Sequence, residues 1–154
     1  GTGARRRIVL PPEVTTRLTT GERSLRVVGF TRHGAQLLFG VDDALALYDP
    51  VRDTWQVQPP PGHSVLGASS GEWTVSPDGT RLMRMQVFQA RGSPSKAQVL
   101  VFDLHTVQWT VLTLGKHWHG EMTWYGNEHV LLTTDWGVST LGLDGSREVL
   151  WPRE

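Results

Sequence analysis

The sequence predicts an all-β fold made of about three four-stranded antiparallel units. Three observations carry this expectation. Apolar or alternating runs of four to seven residues lie between clusters of Gly, Pro and Asp, and long helical periodicity is absent. The 17 Gly offer positions of positive φ for tight turns, while seven Trp and the β-branched residues suit half-buried sheet surfaces. Most informative, the chain echoes itself: Leu37-Leu38-Phe39 aligns with Leu82-Met83-Arg84 and with Val130-Leu131-Leu132, at offsets of 45 and 48 residues.

The elements follow in order. Residues 1–24 form an N-terminal segment, and residues 25–154 hold the three repeats, at about 25–60, 72–114 and 121–152. In the segment, Ile8-Val9-Leu10-Pro11-Pro12 resembles the last strands of the units, which also run into proline at Val57-Gln58-Pro59-Pro60 and Val149-Leu150-Trp151-Pro152. It is expected to be an outer strand with no unit of its own. Early in each unit comes a turn: Thr31-Arg32-His33-Gly34, Ser76-Pro77-Asp78-Gly79 and Trp124-Tyr125-Gly126-Asn127. Pro presets φ in such turns, and Gly and Asn accept positive φ. The second half repeats as well. Ala44–Asp49 matches Gln98–Asp103, both end in aromatic-Asp, and a Trp follows six residues later, Trp55 or Trp109. The Asp is placed to cap the turn backbone, and the recurrent Trp suits packing. Unit three departs here, with Leu143-Asp144-Gly145 making a tighter turn into Arg147–Trp151. Unit two carries about nine extra residues at Gln89–Lys96, a loop insertion rich in Gly, Ser and Pro. Its strands are predicted at Glu72–Ser76, Arg81–Phe88, Gln98–Leu104 and Gln108–Leu114.

Four antiparallel strands in roughly 45 residues, repeated, is the pattern of β-propeller blades. Trp73-Thr74-Val75-Ser76-Pro77-Asp78-Gly79-Thr80-Arg81-Leu82, followed by Val99-Leu100-Val101-Phe102-Asp103-Leu104, resembles the TolB-like group of propellers, which repeats a Trp-x-x-Ser-Pro-Asp-Gly turn and a strand ending in Asp-Leu. The same blade type occurs in the N-terminal propellers of prolyl oligopeptidase-like enzymes. The match is good in unit two and degenerate in the others. The resemblance implies architecture over about Leu25–Trp151, no catalytic residues, and a bacterial, extracytoplasmic setting. Three blades fall short of the four to eight that close a ring. The chain is therefore expected to be part of a longer propeller, or half of a six-bladed ring made by a homodimer with the N-terminal strand exchanged. An open stack with polar ends is the third arrangement. The start at Gly1-Thr2-Gly3-Ala4, without Met, fits the first.

Composition narrows the function. Lys+Arg and Asp+Glu both number 15, so no whole-domain charge favours nucleic acid or anionic lipid, although Arg5, Arg6 and Arg7 are consecutive. No Cys is present, which removes disulfides and thiolate metal sites. No apolar run approaches the roughly 18 residues of a membrane span, and no signal peptide is visible. There is no Gly-x-Ser-x-Gly elbow and no phosphate-cradling Gly loop. Glu121 and Asp135 form a carboxylate pair of the sort glycoside hydrolysis needs, but a chain with 15 carboxylates supplies such pairs by chance. No catalytic residue, cofactor or metal is expected, although His117, His119 and Asp135 are of ligand type.

Strand order places the site. In a four-stranded antiparallel blade, the second-to-third loop and the connection to the next blade share one rim. The long segments Pro59–Ser70, Gln89–Lys96 and Gly115–Gly120 fall there, with Val41–Asp43 and Thr134–Gly137. Partner-binding residues are therefore expected at His63, Arg91, His117, Trp118, His119, Asp135 and Trp136, because exposed Trp and Arg anchor interfaces. Trp118 and Trp136 are the two Trp expected to be exposed, and Trp73 and Trp124 are expected in the core. The function expected is a non-catalytic protein-interaction or scaffolding module. The alternatives are a carbohydrate- or small-ligand-binding propeller and the accessory propeller of a larger hydrolase.

Overall fold

The computed structural model describes residues 8–19, 25–30, 36–41, 44–59, 61, 69–88, 96–116, 118 and 120–152. Within them three separate antiparallel sheets follow one another along the chain, consistent with a partial propeller-like all-β fold. The first sheet holds β1 (Leu25–Phe30), β2 (Leu37–Val41), β3 (Ala44–Asp49) and β4 (Thr54–Gln58) in sequence order. In the second, β5 (Ser69–Ser70) and β6 (Thr74–Val75) are two short pieces along the same strand, β7 (Arg81–Phe88), which continues to β8 (Lys96–Asp103) and β9 (Gln108–Lys116). The third is the meander β10 (Gly120–Tyr125), β11 (His129–Thr134), β12 (Gly137–Gly142) and β13 (Arg147–Pro152).

The sequence echo is a structural one. Asp49 and Asp103 end the third strands of their sheets, and each carboxylate accepts two backbone N–H groups of the following turn: Val51 and Arg52 for Asp49, His105 and Thr106 for Asp103, all within 2.9–3.0 Å. Four residues beyond each Asp the backbone turns left-handed, at Asp53 (φ 56°) and Val107 (φ 57°). Two residues further, Trp55 pairs across the ladder with Tyr48, and Trp109 pairs with Phe102. Both ring pairs sit 4.8 Å apart between centroids. In the third sheet the shorter turn is capped by Asp144 on the Ser146 N–H, with Gly145 supplying φ 87°.

Side-chain alternation gives each sheet a face toward its predecessor and a face toward its successor. Leu38, Leu45 and Leu47 of the first sheet pack on Leu82 and Phe102 of the second, joined by Val28, Trp73, Val75 and Trp109. The approach is close: a Cβ on Gly40 would lie 2.9 Å from Trp73 Cδ1. The other side of the second sheet, with Met83, Val99, Val101, Leu112 and Leu114, packs on Val130, Leu132 and Leu141 of the third.

The leading segment departs from the expected strand. Ile8–Pro11 joins no ladder among the described residues, and α1 (Pro12–Thr19) is a helix. Two successive prolines remove the N–H donors a ladder needs, while Pro at the first helical position costs no hydrogen bond. Glu13 adds a favourable acid in the first turn. The segment lies against the first sheet's predecessor face. Ile8, Leu10 and the fully buried Val14 pack with Leu37, Phe39, Ala46, Tyr48, Trp55 and Val57. Trp55 Nε1–H donates to the Val9 carbonyl at 3.0 Å.

Candidate interaction rim

The two ends of the sheets differ in kind. At one end the tight turns knit into a hydrogen-bonded network. The Ser76 hydroxyl donates to Asp78 at 2.6 Å, and the Thr80 N–H and hydroxyl donate to the same oxygen. These bonds, the Ser76 hydroxyl first, outweigh the cost of burial and hold the Asp78 carboxyl below its ordinary pKa. Gly79, at φ 71°, closes this turn as the Ser-Pro-Asp-Gly pattern requires. Arg81 then joins two sheets. Its Nε donates to Asp103 at 3.1 Å, and its Nη1 donates to the Asn127 carbonyl and to Glu128 of the third sheet's first turn. Asn127 Oδ1 in return accepts the Asp78 N–H at 3.2 Å. Partial burial pulls Arg81 toward neutrality, but Glu128 and Asp103 outweigh it and raise its pKa. Burial likewise opposes the charge on Asp103. The Thr106 and His105 N–H groups and Arg81 overcome it and keep that carboxyl low. Every polar group named at this end is engaged within the chain, which makes it scaffold.

The opposite end carries the long connections. The described part is the hairpin between β11 and β12 and the end of β13. Thr134 pairs with Gly137, so Asp135 and Trp136 alone form the loop. The Trp136 N–H donates to Thr134 Oγ1 at 3.2 Å, and Gly137 takes a positive φ that closes the hairpin. Trp136 is 82% exposed, as expected from the sequence. An indole held by a two-residue loop on a paired ladder loses little conformational freedom when it is covered. Beside it, Val138 pairs with Trp151 and Gly137 with Pro152. Trp151 is 71% exposed, and Val149 and Leu150 are exposed too. The structure thus adds a second exposed indole that the sequence reading had absorbed into a strand.

Trp118 corrects the expectation of an exposed anchor. It is only 8% exposed and belongs to the core between the second and third sheets. The physical reason is the length of the connection. β9 runs to Lys116 and β10 starts at Gly120, so only three residues separate the two strands. A large apolar ring there drops into the seam. Its Nε1 has no hydrogen-bond partner among the described residues. Trp73 and Trp124 behave as expected: each is half-buried against an intersheet core, and Trp124 Nε1–H donates to the Thr74 carbonyl of the second sheet. His63, Arg91, His117 and His119 lie outside the described residues, so of the expected set the structure brings together Asp135 and Trp136. Among the described residues no three His, Asp or Glu side chains converge as metal ligands, and no helix is long and apolar enough to cross a membrane.

Comparison with protein-family models and with curated proteins gave no match.

Proposed function

We propose that this chain is a protein-interaction or scaffolding module of β-propeller type, without catalysis of its own, that docks a partner on the rim bearing Trp136 and Trp151. The observation that carries this reading is the pair of exposed indoles on one sheet, Trp136 in the β11–β12 hairpin loop and Trp151 on β13, at the end opposite the hydrogen-bonded turns. Trp anchors contribute most to an interface when they sit on a rigid frame and are ringed by other contacts that exclude water. Leu150 and Asp135, the chain neighbours of Trp151 and Trp136, are exposed as well. The TolB-like pattern at Trp73–Leu82 and the Asp-capped third strands support a propeller as the frame.

The test is affinity capture with the wild-type chain and with a Trp136→Ala/Trp151→Ala variant, followed by direct binding of the captured protein. Both side chains are exposed, so the variant is expected to keep its melting temperature. Loss of at least roughly thirtyfold in affinity supports the rim, at about 2 kcal/mol or more for an anchoring Trp. Undiminished binding by the folded variant moves the site elsewhere. Indole emission titrated with a glycan panel separates the sugar-binding alternative, since exposed Trp that stack on sugars shift their emission.

A further inference from the structure

The second sheet breaks the repeat on the face it turns toward the first. Leu37-Leu38-Phe39, Leu82-Met83-Arg84 and Val130-Leu131-Leu132 are equivalent, so Arg84 stands where the other sheets have Phe39 and Leu132. Phe39 and Leu132 are buried, and Arg84 is buried with them at 4% exposed. Two places further along β7, Gln86 is 3% exposed where the first sheet has Val41. Its ladder partner Gln98 stands where the first sheet has the buried Ala44. A guanidinium and two amides at a packed face cost stability that apolar side chains would not. A local rule broken in one repeat and kept in the others points to function at that place.

These groups share one seam. Alternation along β7 turns Arg84 and Gln86 the same way as Leu82, which packs on Leu38, Leu45 and Leu47 of the first sheet. The Arg84 guanidinium carbon is 5.4 Å from the ring centroid of Trp73, and Trp73 packs in the same seam. Gln98 Nε2–H donates to Gln86 Oε1 at 3.2 Å, so the Gln86 amide is oriented with its acceptor used and its nitrogen a donor. The buried Nε1–H groups of Trp73 and Trp109, whose rings are 5.8 Å apart, have no hydrogen-bond partner among the described residues. The face also leads outward. Along β8, Lys96, Gln98 and Leu100 alternate onto it, and they pass from exposed through half-buried to buried. Lys96 lies at the end with the long connections. A cation at the mouth and a cation at depth draw an anion in from that end.

We propose that the seam between the first and second sheets takes the carboxylate of a small organic acid, with Arg84, the Gln86 nitrogen and Trp73 Nε1 as its donors. A guanidinium suits a carboxylate, which it meets with two parallel N–H bonds. One buried positive charge matches one negative charge, whereas a dianionic phosphate would leave a net charge in the seam. The site uses none of the residues of the rim proposed above and stands or falls apart from it.

The test uses the full chain, with acetate, lactate and benzoate as probes, each against its neutral amide at matched ionic strength. An acid present at about five times its Kd should raise the melting temperature by roughly 2–4 °C, and its amide should not. In 1H–15N spectra the indole N–H resonance of Trp73, assigned through Trp73→Phe, should move along the same saturation curve while that of Trp136 stays in place. Arg84→Leu restores the residue type of the third sheet. It is expected to fold, to melt at or above the wild-type temperature, and to lose both responses. If Arg84→Leu does not fold, Trp73→Phe is read instead. It keeps a ring against Gly40 and removes the N–H, and should weaken binding by roughly threefold or more. The proposal is overturned if no acid moves the Trp73 resonance of the wild-type chain, or if folded Arg84→Leu responds as the wild type does. Unchanged affinity in Trp73→Phe also overturns it.

Discussion

Val107 holds a backbone conformation that its side chain opposes, and relieving it is expected to stabilise the fold. Its φ of 57° lies in the left-handed region, where a β-branched residue is a genuine outlier. The turn demands the conformation. Asp103 accepts the His105 and Thr106 N–H groups, and the Val107 N–H donates to the Asp103 carbonyl at 2.9 Å. A strained φ of this kind costs about 1–3 kcal/mol. Val107 is 45% exposed, so little packing is lost on replacing it. Val107→Asn tolerates the left-handed region and adds no extra freedom to the unfolded chain, and about 1 kcal/mol of stabilisation is expected. For a domain of this size that is a rise of roughly 2–4 °C in melting temperature. Val107→Gly relieves the same strain but gives back about 0.5–1 kcal/mol through unfolded-state entropy, so it should fall between Asn and Val. The first sheet supplies the reverse experiment. Asp53 sits at the equivalent position with φ 56° and accepts the Tyr48 hydroxyl at 2.7 Å. Asp53→Val imposes the strain and removes the acceptor, and should cost about 2 kcal/mol. Scanning calorimetry and urea titration read all three. If both Val107 variants melt at or below the wild type while Asp53→Val costs nothing, strain at these turns is not what limits stability.

Two further perturbations test the hydrogen-bonded end. Arg81→Leu strips Asp103 of its cation and cuts the tie to Asn127 and Glu128; Glu128 is mostly exposed, so the loss is set chiefly by Asp103 and should be about 1–2 kcal/mol in the urea midpoint. Arg81→Lys should recover only part, because one ammonium cannot span both sheets as the guanidinium does. The acid side is the other test. Asp49, Asp78, Asp103 and Asp144 all have carboxyls held below their ordinary pKa: the Arg52 N–H bond leads for Asp49, the Ser76 hydroxyl for Asp78 and that of Ser146 for Asp144, while in Asp103 burial is outweighed by backbone N–H bonds. A depressed carboxylate contributes fully above its unfolded pKa, about 4, and loses that contribution as pH falls through the folded value. The urea midpoint should therefore be flat above about pH 5 and drop toward pH 3. Asp78→Asn should flatten part of that drop, and an unchanged slope would refute the assignment.

What was legible from residues alone was everything set by local periodicity. The echo of Ala44–Asp49 in Gln98–Asp103 located equivalent third strands because alternation, an Asp cap and a Trp six residues on are all written within twelve positions. The Ser76–Gly79 turn was legible for the same reason, since Pro and Gly fix φ directly. What was not legible depended on how far a connection reaches. Trp118 read as a loop residue because Gly115 and Gly120 flank it. Both are accommodated by strands, and Trp118 packs in the seam between the second and third sheets. The segment Ile8–Pro12 read as a strand because its apolar run leads into proline as the last strands of the units do, yet its ladder donors are missing at Pro11 and Pro12, and it packs on the sheet face beside it. Trp151 was hidden by the opposite effect. Its strand was correctly expected, but which face an edge residue presents follows from register, and β13 carries a bulge opposite Val138 and Ser139 that places it.

The successive faces show why the exposed aromatic residues collect on the third sheet. Leu38, Leu45 and Leu47 on the first sheet, and Met83, Val99 and Val101 on the second, are fully or almost fully buried because another sheet follows each. At the corresponding places the third sheet has Leu131, Val138 and Thr140, with Thr123 and Thr133 beside them. Threonine keeps the β-branched shape that a sheet favours; Thr123 and Thr133 are exposed, Leu131 and Val138 are half-buried, and Thr140 is buried. Trp136, Trp151 and Tyr125 are exposed as well. Their exposure, at the tip and flank of one sheet, leaves apolar surface where a partner can reach it. The first sheet differs: its apolar predecessor face lies beneath Ile8, Leu10 and Val14.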